Sequence, residues 1–80
     1  MLYVYILKSI HRPEKHYVGL TKNLKKRLKE HNEGETIFGN KYRPWEIETC
    51  IAFRNKDRAN KFERYLKAGS GHAFLKKHFV

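Results

Sequence analysis

The chain has 80 residues, with 18 lysines and arginines against eight aspartates and glutamates and a net charge of +10 at pH 7. A chain of this length buries only about 60–65% of its unfolded surface, so we expect a single domain over residues 1–80. One cysteine, Cys50, excludes an intrachain disulfide, and the apolar run Leu2–Leu7 is far shorter than the ~20 residues of a membrane helix. This run has no flanking signal-peptide features, so we expect an intracellular, cytoplasmic protein without membrane contact.

The positive charge is concentrated in two parts of the chain. The segment from Lys22 to Lys29 contains cations and no acid, and no acid follows Glu63. Such a field attracts polyanions, and phosphate contacts provide most non-specific affinity, so nucleic acid is the expected partner class, DNA first. Basic proteins that are merely soluble, or that bind ribosomal RNA or anionic membranes, have the same charge. Charge alone therefore predicts a partner class and no activity.

Three strands are predicted in chain order. Leu2–Leu7 alternates β-branched and aromatic residues, and a second short strand is predicted over His16–Leu20. The polar connection "SIHRPEK" contains a proline and predicts that these two strands form a hairpin with a fairly long loop. A third strand is predicted over Glu46–Phe53, with one face formed by Ile47, Thr49, Ile51 and Phe53.

Helices are predicted between and after the strands. Asn23 is a good N-cap for "LKKRLKEHN", which Gly34 would end, and Asn55 is a good N-cap for "KDRANKFERYLKA", which Gly69 would end. A last short helix is predicted at roughly His72–His78. Its apolar anchors are Phe74, Leu75 and Phe79. The order β-β-α-β-α-α predicts an α/β fold, a small three-stranded, antiparallel-leaning sheet packed with helices.

The apolar positions of these elements predict a core. We expect most of the following side chains to be buried: Leu2, Val4, Ile6, Val18, Leu24, Leu28, Ile47, Ile51, Ala59, Phe62, Leu66, Phe74 and Leu75. The long irregular segment from Glu33 to Glu46 has two interpretations. Its cations Lys41 and Arg43 could follow a phosphate backbone while its aromatic residues stack on bases, or Tyr42 and Trp45 could simply cover the edge of the sheet.

Two predicted helices carry polar residues beside their apolar faces. At about 100° per residue, Arg27 and His31 lie on the leucine side of the first helix, whereas its lysines face water. Glu63 borders the apolar stripe of the second helix. Structural roles would also account for these positions: His31 could be a packing residue, and Glu63 could pair with Lys67 or with Arg27.

The first two strands add two phenols and a glycine to the same small sheet. Tyr5 faces away from Val4 and Ile6, where its hydroxyl can remain hydrated. Gly19, within a strand, suits the close approach of another backbone or a ligand. Tyrosine, arginine, histidine and glutamate side chains are thus expected to converge in a chain with the charge of a nucleic-acid-binding protein.

This pattern resembles the GIY-YIG nuclease superfamily. The strand segments "YVY" and "YVG" look like its two signatures, "LTKNLKKRLKEH" looks like its helix with arginine and histidine four residues apart, and "ANKFERYLKAGSG" is similar to its glutamate segment. The likeness is greatest to short stand-alone bacterial members that resemble the N-terminal nuclease domain of the bacterial excinuclease. It implies a metal-dependent endonuclease domain that hydrolyses phosphodiester bonds in DNA, with RNA as an alternative substrate.

The resemblance also implies residue roles. Glu63 would bind one Mg²⁺ or Mn²⁺, Arg27 would bind the scissile phosphate and Tyr17 would activate the attacking water, supported by Tyr5 and His31. Mg²⁺ commonly takes one or two carboxylates and keeps several waters, so one glutamate can suffice. Further substrate contacts are expected from Gly19, Lys22, Lys41, Arg43 and Lys67.

Two departures from the family pattern matter. Tyr3 stands where the first signature has a glycine, and no asparagine follows Glu63, although many members have one there. Ser70 or His72 could replace that asparagine. Members usually take their specificity from another domain, so a protein partner could supply it here. Two other functions stay open: a non-catalytic nucleic-acid-binding domain that keeps the nuclease fold, and a metal-free ribonuclease that uses paired histidines.

Overall fold

The structure, a computed structural model, describes residues 1–34 and 41–78. Its described strands form one antiparallel sheet in the order β2-β1-β3. The strands are β1 (Leu2–Ser9), β2 (His16–Thr21) and β3 (Trp45–Phe53). The helices are α1 (Leu24–Asn32), α2 (Lys56–Lys67) and α3 (Gly69–His78). The predicted fold class, element order and antiparallel sheet are confirmed.

The central strand β1 is buried on both faces of the sheet. Val4 and Ile6 pack with residues of α2 and α3, whereas Tyr5 and Leu7 pack on the opposite face with Trp45 and the leucines of α1. Because α1 covers that second face, Tyr5 is only 1% exposed. The expectation of a hydrated Tyr5 hydroxyl is therefore wrong.

Most of the predicted core lies inside the molecule. The fully buried members are Val4, Ile6, Ala59, Leu66 and Leu75. The half-buried members are Leu2, Val18, Leu24, Leu28, Ile51, Phe62 and Phe74. The prediction is wrong only for Ile47, which is 37% exposed.

A β-bulge explains the exception. Ile6 pairs with Thr49 but Leu7 pairs with Ile47, so Glu48 is an extra residue in β3. The bulge shifts the alternation of side chains by one position. Ile47 consequently lies on the α1 face of the sheet, away from Thr49, Ile51 and Phe53. The prediction that these four residues share a face is wrong for Ile47.

Two asparagine caps fix where α1 and α2 begin. The side chain of Asn23 accepts a hydrogen bond from the Lys26 amide at 3.1 Å, and that of Asn55 accepts one from the Arg58 amide at 3.0 Å. Both predicted N-caps are confirmed. Gly34 follows α1 with a φ of 75°, the left-handed conformation typical of a glycine after a helix.

The last helix differs from its prediction. α3 begins at Gly69, so this glycine starts a helix directly after α2 instead of leading into an irregular "GSG" segment. Phe79, a predicted anchor, lies outside the described residues, as do residues 35–40 of the long predicted loop. Within residues 1–34 and 41–78, no helix is long and apolar enough to cross a membrane.

The α2–α3 junction depends on a close backbone contact at Gly71. A Cβ atom added to Gly71 would lie 1.5 Å from the carbonyl oxygen of Tyr65, whereas one added to Gly69 would meet nothing within 4 Å. Only a residue without a side chain lets the first turn of α3 approach the end of α2 so closely.

We expect Gly71→Ala to lower the free energy of unfolding by at least about 1–3 kcal/mol, because the new methyl group must displace backbone. Gly69→Ala is the matched control, and it should be neutral or stabilising by up to ~1 kcal/mol from helix propensity. Urea unfolding of the two variants measures both effects. Equal stabilities would contradict the close contact.

Candidate active site

The candidate active site lies at the β2 edge of the sheet. Because β2 is an edge strand, side chains from both faces can meet beside it. Tyr17 packs on the α1 face, yet Nζ of Lys67, from α2 on the other face, lies 5.8 Å from the centroid of its ring. We call the residues that meet here the β2 edge site; they are Tyr5, Tyr17, Arg27, His31, Glu63 and Lys67.

Gly19 gives Tyr5 its position. The two residues are cross-strand partners, and a Cβ atom on Gly19 would lie 2.3 Å from the Tyr5 hydroxyl oxygen. The phenol ring therefore occupies the space that a side chain would fill and extends over β2 toward the edge. The close approach expected at Gly19 is made by this ring, while the expected contact between Gly19 and substrate stays a prediction.

A hydrogen bond joins Tyr5 to His31, and Arg27 interacts with the same phenol. The Tyr5 hydroxyl oxygen lies 3.2 Å from Nε2 of His31. Burial, followed by the neighbouring Tyr17, raises the pKa of Tyr5 to about 12, so its hydroxyl keeps its proton. The Arg27 guanidinium also interacts electrostatically with this phenol. Because the phenol keeps its proton, we assign the Tyr5 hydroxyl as the donor and Nε2 of His31 as the acceptor.

His31 is the buried base of this arrangement. Its side chain is 0% exposed, in agreement with the predicted buried position. Burial and then the charge of Arg27 lower its pKa, which keeps the imidazole neutral at pH 7. Its ring centroid lies 4.6 Å from that of Tyr17. The site thus places a neutral imidazole beside the tyrosine expected to activate water.

Arg27 supplies a fixed positive charge. Its Nη1 lies 3.2 Å from Oε1 of Glu30, and its side chain is 41% exposed. Burial lowers the pKa of Arg27, but Tyr5 and Glu30 together raise it above the ordinary value, so the guanidinium stays charged. The alternative pairing with Glu63 is wrong for the described residues, since Arg27 pairs with Glu30. Arg27 lines a cleft of about 300 Å³ with Lys22 and Lys26, where an anion can reach it.

Glu63 is paired with Lys67, as the four-residue spacing predicted. Oε2 of Glu63 lies 2.7 Å from Nζ of Lys67, and the glutamate side chain is 16% exposed. The described residues contain no group of three histidine, cysteine, aspartate or glutamate side chains that could enclose a metal ion. A single carboxylate oxygen donor suits Mg²⁺ or Mn²⁺, hard ions that accept few protein ligands and retain water. The residues present therefore fit a water-rich divalent ion.

The remaining predicted contacts are distributed around the molecule. Lys22 is exposed and shares the cleft of Arg27. Lys41 and Arg43 are exposed, and Nζ of Lys41 lies 5.4 Å from the centroid of the Tyr42 ring. Trp45 is 2% exposed and packs in the core with Tyr42 against it, so Trp45 has a structural role. Substrate contacts by Lys22, Lys41 and Arg43 stay predictions.

Asn32, which no sequence pattern indicated, holds the end of α1 against the sheet. Its side-chain amide donates to the carbonyl of Trp45 at 3.0 Å, and its side-chain oxygen accepts from the amide of the same residue. These two bonds hold the turn of helix that carries His31. The partners are 13 residues apart, so no local spacing could have revealed them.

The β2 edge site brings together groups suited to phosphodiester hydrolysis. It offers a cation for a phosphate, a carboxylate for a divalent ion, and a phenol beside a neutral imidazole for proton transfer. The family model described as the GIY-YIG catalytic domain matches residues 1–76, so the chain belongs to the GIY-YIG family. The resemblance noted in the sequence is confirmed at the level of the family.

Two relatives are yeast proteins named structure-specific endonuclease subunit SLX1. The one from Candida dubliniensis is 36% identical over 94% of this chain and 27% of the relative. The one from Debaryomyces hansenii is 38% identical over 80% of this chain and 20% of the relative. Neither is a bacterial protein of the kind that the sequence resemblance implied. The chain spans about a quarter or less of the length of these relatives.

We expect Gly19→Ala to lower the free energy of unfolding by about 1–3 kcal/mol, because the methyl group would overlap the Tyr5 hydroxyl. The same substitution should lower the free energy of unfolding by less in a Tyr5→Leu background, where no phenol ring occupies the space. Urea unfolding of the original chain, the two single variants and the double variant gives the coupling free energy between the two positions. Additive effects would show that Tyr5 and Gly19 do not share this space.

Stability should also depend on pH through His31. The unfolded chain takes up a proton near pH 6.5, whereas folded His31 has a lowered pKa and resists protonation. The unfolded state then binds more protons, so the free energy of unfolding falls as pH decreases from about 7 toward 5. Urea unfolding at several pH values gives the slope of the free energy of unfolding against pH. This slope should be smaller for His31→Gln than for the original chain, with the exposed His11→Gln as control. An unchanged slope in His31→Gln would contradict the assignment.

Proposed function

We propose that the chain is the catalytic domain of a metal-dependent endonuclease that hydrolyses phosphodiester bonds in DNA. The observation that carries the proposal is the convergence of Tyr17, Arg27, His31 and Glu63 at the β2 edge, in a chain of the GIY-YIG family. The names of the two SLX1 relatives support the same activity. RNA stays the alternative substrate, and residues 1–80 are proposed to act as one domain.

Arg27 is proposed to bind the scissile phosphate. Its guanidinium is charged, partly exposed and lies in a cleft with two lysines. A planar fork of donors can bind two phosphate oxygens and becomes more favourable as negative charge develops on them. The ion pair with Glu30 holds the guanidinium in place before substrate arrives, which reduces the reorganisation that binding requires.

Tyr17 is proposed to accept the proton of the attacking water, with His31 beside it as the neutral base that favours the ionised phenol. Tyr5 acts differently, because its raised pKa keeps its proton and its hydroxyl is bonded to His31. We therefore assign Tyr5 as a positioning residue that orients His31. This assignment gives the two tyrosines of the site distinct roles.

Glu63 is proposed to hold one Mg²⁺ or Mn²⁺, in agreement with its hard oxygen donors. When bound, the ion would supply Lewis-acid stabilisation of the phosphate and of the leaving oxygen. Lys67 neutralises the carboxylate in the structure and lies beside Tyr17, so it is positioned to contact a substrate phosphate when the carboxylate has another partner. The identity of the ion, Mg²⁺ or Mn²⁺, is part of this proposal.

The substrate and partner are inferred from the relatives. Because both relatives are named structure-specific endonuclease subunits, we propose that this chain prefers branched or otherwise non-uniform DNA and that a partner protein supplies part of its specificity. Its expected place is intracellular, where such DNA occurs.

A non-catalytic nucleic-acid-binding domain is the second candidate function, since the ion pair of Glu63 with Lys67 is also what a purely structural glutamate would form.

The first experiment compares cleavage of single-stranded, duplex, branched and RNA substrates with Mg²⁺ or Mn²⁺ by the original chain and by Glu63→Gln. We expect cleavage by the original chain only, and its loss with a chelator. Glu33→Gln is the matched control, because it also removes an ion pair with a lysine four residues away, at 3.8 Å, but outside the β2 edge site. Binding without cleavage by the original chain would favour the non-catalytic function.

Two further variants test the assigned roles. Tyr17→Phe should lower kcat by about 10²–10⁴-fold, the usual contribution of general acid–base catalysis. Arg27→Ala should lower it by about 10²–10³-fold, as for loss of one group that stabilises transition-state charge. Single-turnover cleavage of the preferred substrate measures both. Full activity in either variant would remove that residue from the mechanism.

A further inference from the structure

A second basic cleft lies next to the β2 edge site. It has a volume of about 670 Å³ and is lined by Glu14 and Lys15 from the connection between β1 and β2, by His16 at the start of β2, and by His72 and Lys76 of α3. A smaller cleft of about 270 Å³ shares both histidines with it and is also lined by Tyr17 and Lys67. The second basic cleft is therefore continuous with the proposed catalytic residues.

His16 has a polar atom that the described protein leaves unsatisfied. The Nε2 atom of its ring is buried and has no hydrogen-bond partner among the described residues. Buried polar atoms without partners are uncommon in native proteins, because each costs the free energy of a lost interaction with water. A ligand in the cleft can supply the missing partner.

The charges around His16 favour an anion. Glu14 pairs with Arg12 at 2.8 Å, and on the neighbouring strands Glu48 pairs at 3.4 Å with Lys8, which Glu48 shares with Glu46, so each acid that faces His16 is paired with a cation. In contrast, Lys15 and Lys76 form no ion pair within the described residues, and His72 adds a further imidazole from α3. The cleft thus holds an excess of hydrogen-bond donors and positive charge.

We propose that the second basic cleft binds a phosphate group, with His16, His72 and Lys76 as its donors, and that in the functioning protein this is a backbone phosphate of the strand held at the β2 edge site. The source of the phosphate rests on the proposed nuclease function, whereas phosphate binding itself does not. The cleft would hold the strand beside the scissile bond.

Phosphate binding here is linked to a proton. A neutral imidazole donates from only one nitrogen, whereas a protonated imidazole donates from both, so protonation of His16 ensures that the buried Nε2 can donate to a phosphate oxygen. Burial lowers the pKa of His16, and a bound anion would raise it again. Affinity for a phosphodiester is therefore expected to increase as pH falls from about 8 to 6, through the ordinary range of histidine.

The test uses two probes, inorganic phosphate and a short single-stranded oligodeoxynucleotide, with the Glu63→Gln full chain so that nothing is cut. We expect both probes to shift the NMR signals of His16 and His72. Lys76→Ala should weaken oligonucleotide binding about fivefold or more. It should also reduce, by about one, the slope of the logarithm of affinity against the logarithm of salt concentration. Lys77→Ala is the matched control, because it removes the neighbouring charge of α3 without altering the cleft. His16→Gln should reduce the pH dependence, while His11→Gln should leave it unchanged.

The outcomes separate this proposal from the proposed function. If neither probe shifts the two histidines, or if Lys76→Ala and Lys77→Ala weaken binding equally, the second phosphate site is overturned even when the original chain cleaves DNA. A response to inorganic phosphate but not to the oligonucleotide overturns the strand contact and assigns the cleft to a free anion. Shifts by both probes in a chain that never cleaves support the phosphate site and overturn the nuclease function alone.

Discussion

The position of Tyr5 across Gly19 is the contact on which the rest of the site depends. Tyr5 belongs to the buried central strand, but the missing side chain at Gly19 allows its ring to reach over β2 to the sheet edge. There its hydroxyl meets His31, which α1 brings from the same face of the sheet. One hydrogen bond thereby joins a core residue to the edge site. Because β1 is held rigidly in the core, this bond restricts the movement of the imidazole.

Burial then determines the protonation state of each partner. The same low-polarity surroundings that raise the pKa of Tyr5 lower that of His31, so the phenol is kept as a donor and the imidazole as an acceptor. Arg27 strengthens this arrangement, because its charge disfavours a second positive charge on His31. The basic helix α1 can therefore place both Arg27 and His31 on its sheet-facing side, since the charged arginine helps to keep the histidine neutral.

Local features of the fold were predictable from sequence because they depend on neighbouring residues. Asn23 and Asn55 were correct N-caps, and the four-residue spacing of Glu63 and Lys67 predicted their ion pair. The errors involve residues distant in sequence. The bulge at Glu48 appears only when β3 is aligned with β1, and the burial of Tyr5 requires knowledge that α1 covers its face of the sheet. The set of residues at the β2 edge could be proposed from family resemblance, but their contacts could not.

The edge position of β2 also explains why the site can remain accessible in such a small protein. An edge strand leaves backbone groups unpaired, and positive charges beside it discourage pairing with another sheet. Here the cleft of Arg27 and Lys22 and the second basic cleft of His16 and Lys76 lie at opposite ends of β2, because Thr21 lines the first and His16 lines the second. A polyanionic strand that contacted both would have to pass Tyr17 and Lys67, which line the smaller cleft between His16 and the β2 edge site. The charges that protect the edge from aggregation would in this way also guide the substrate across it.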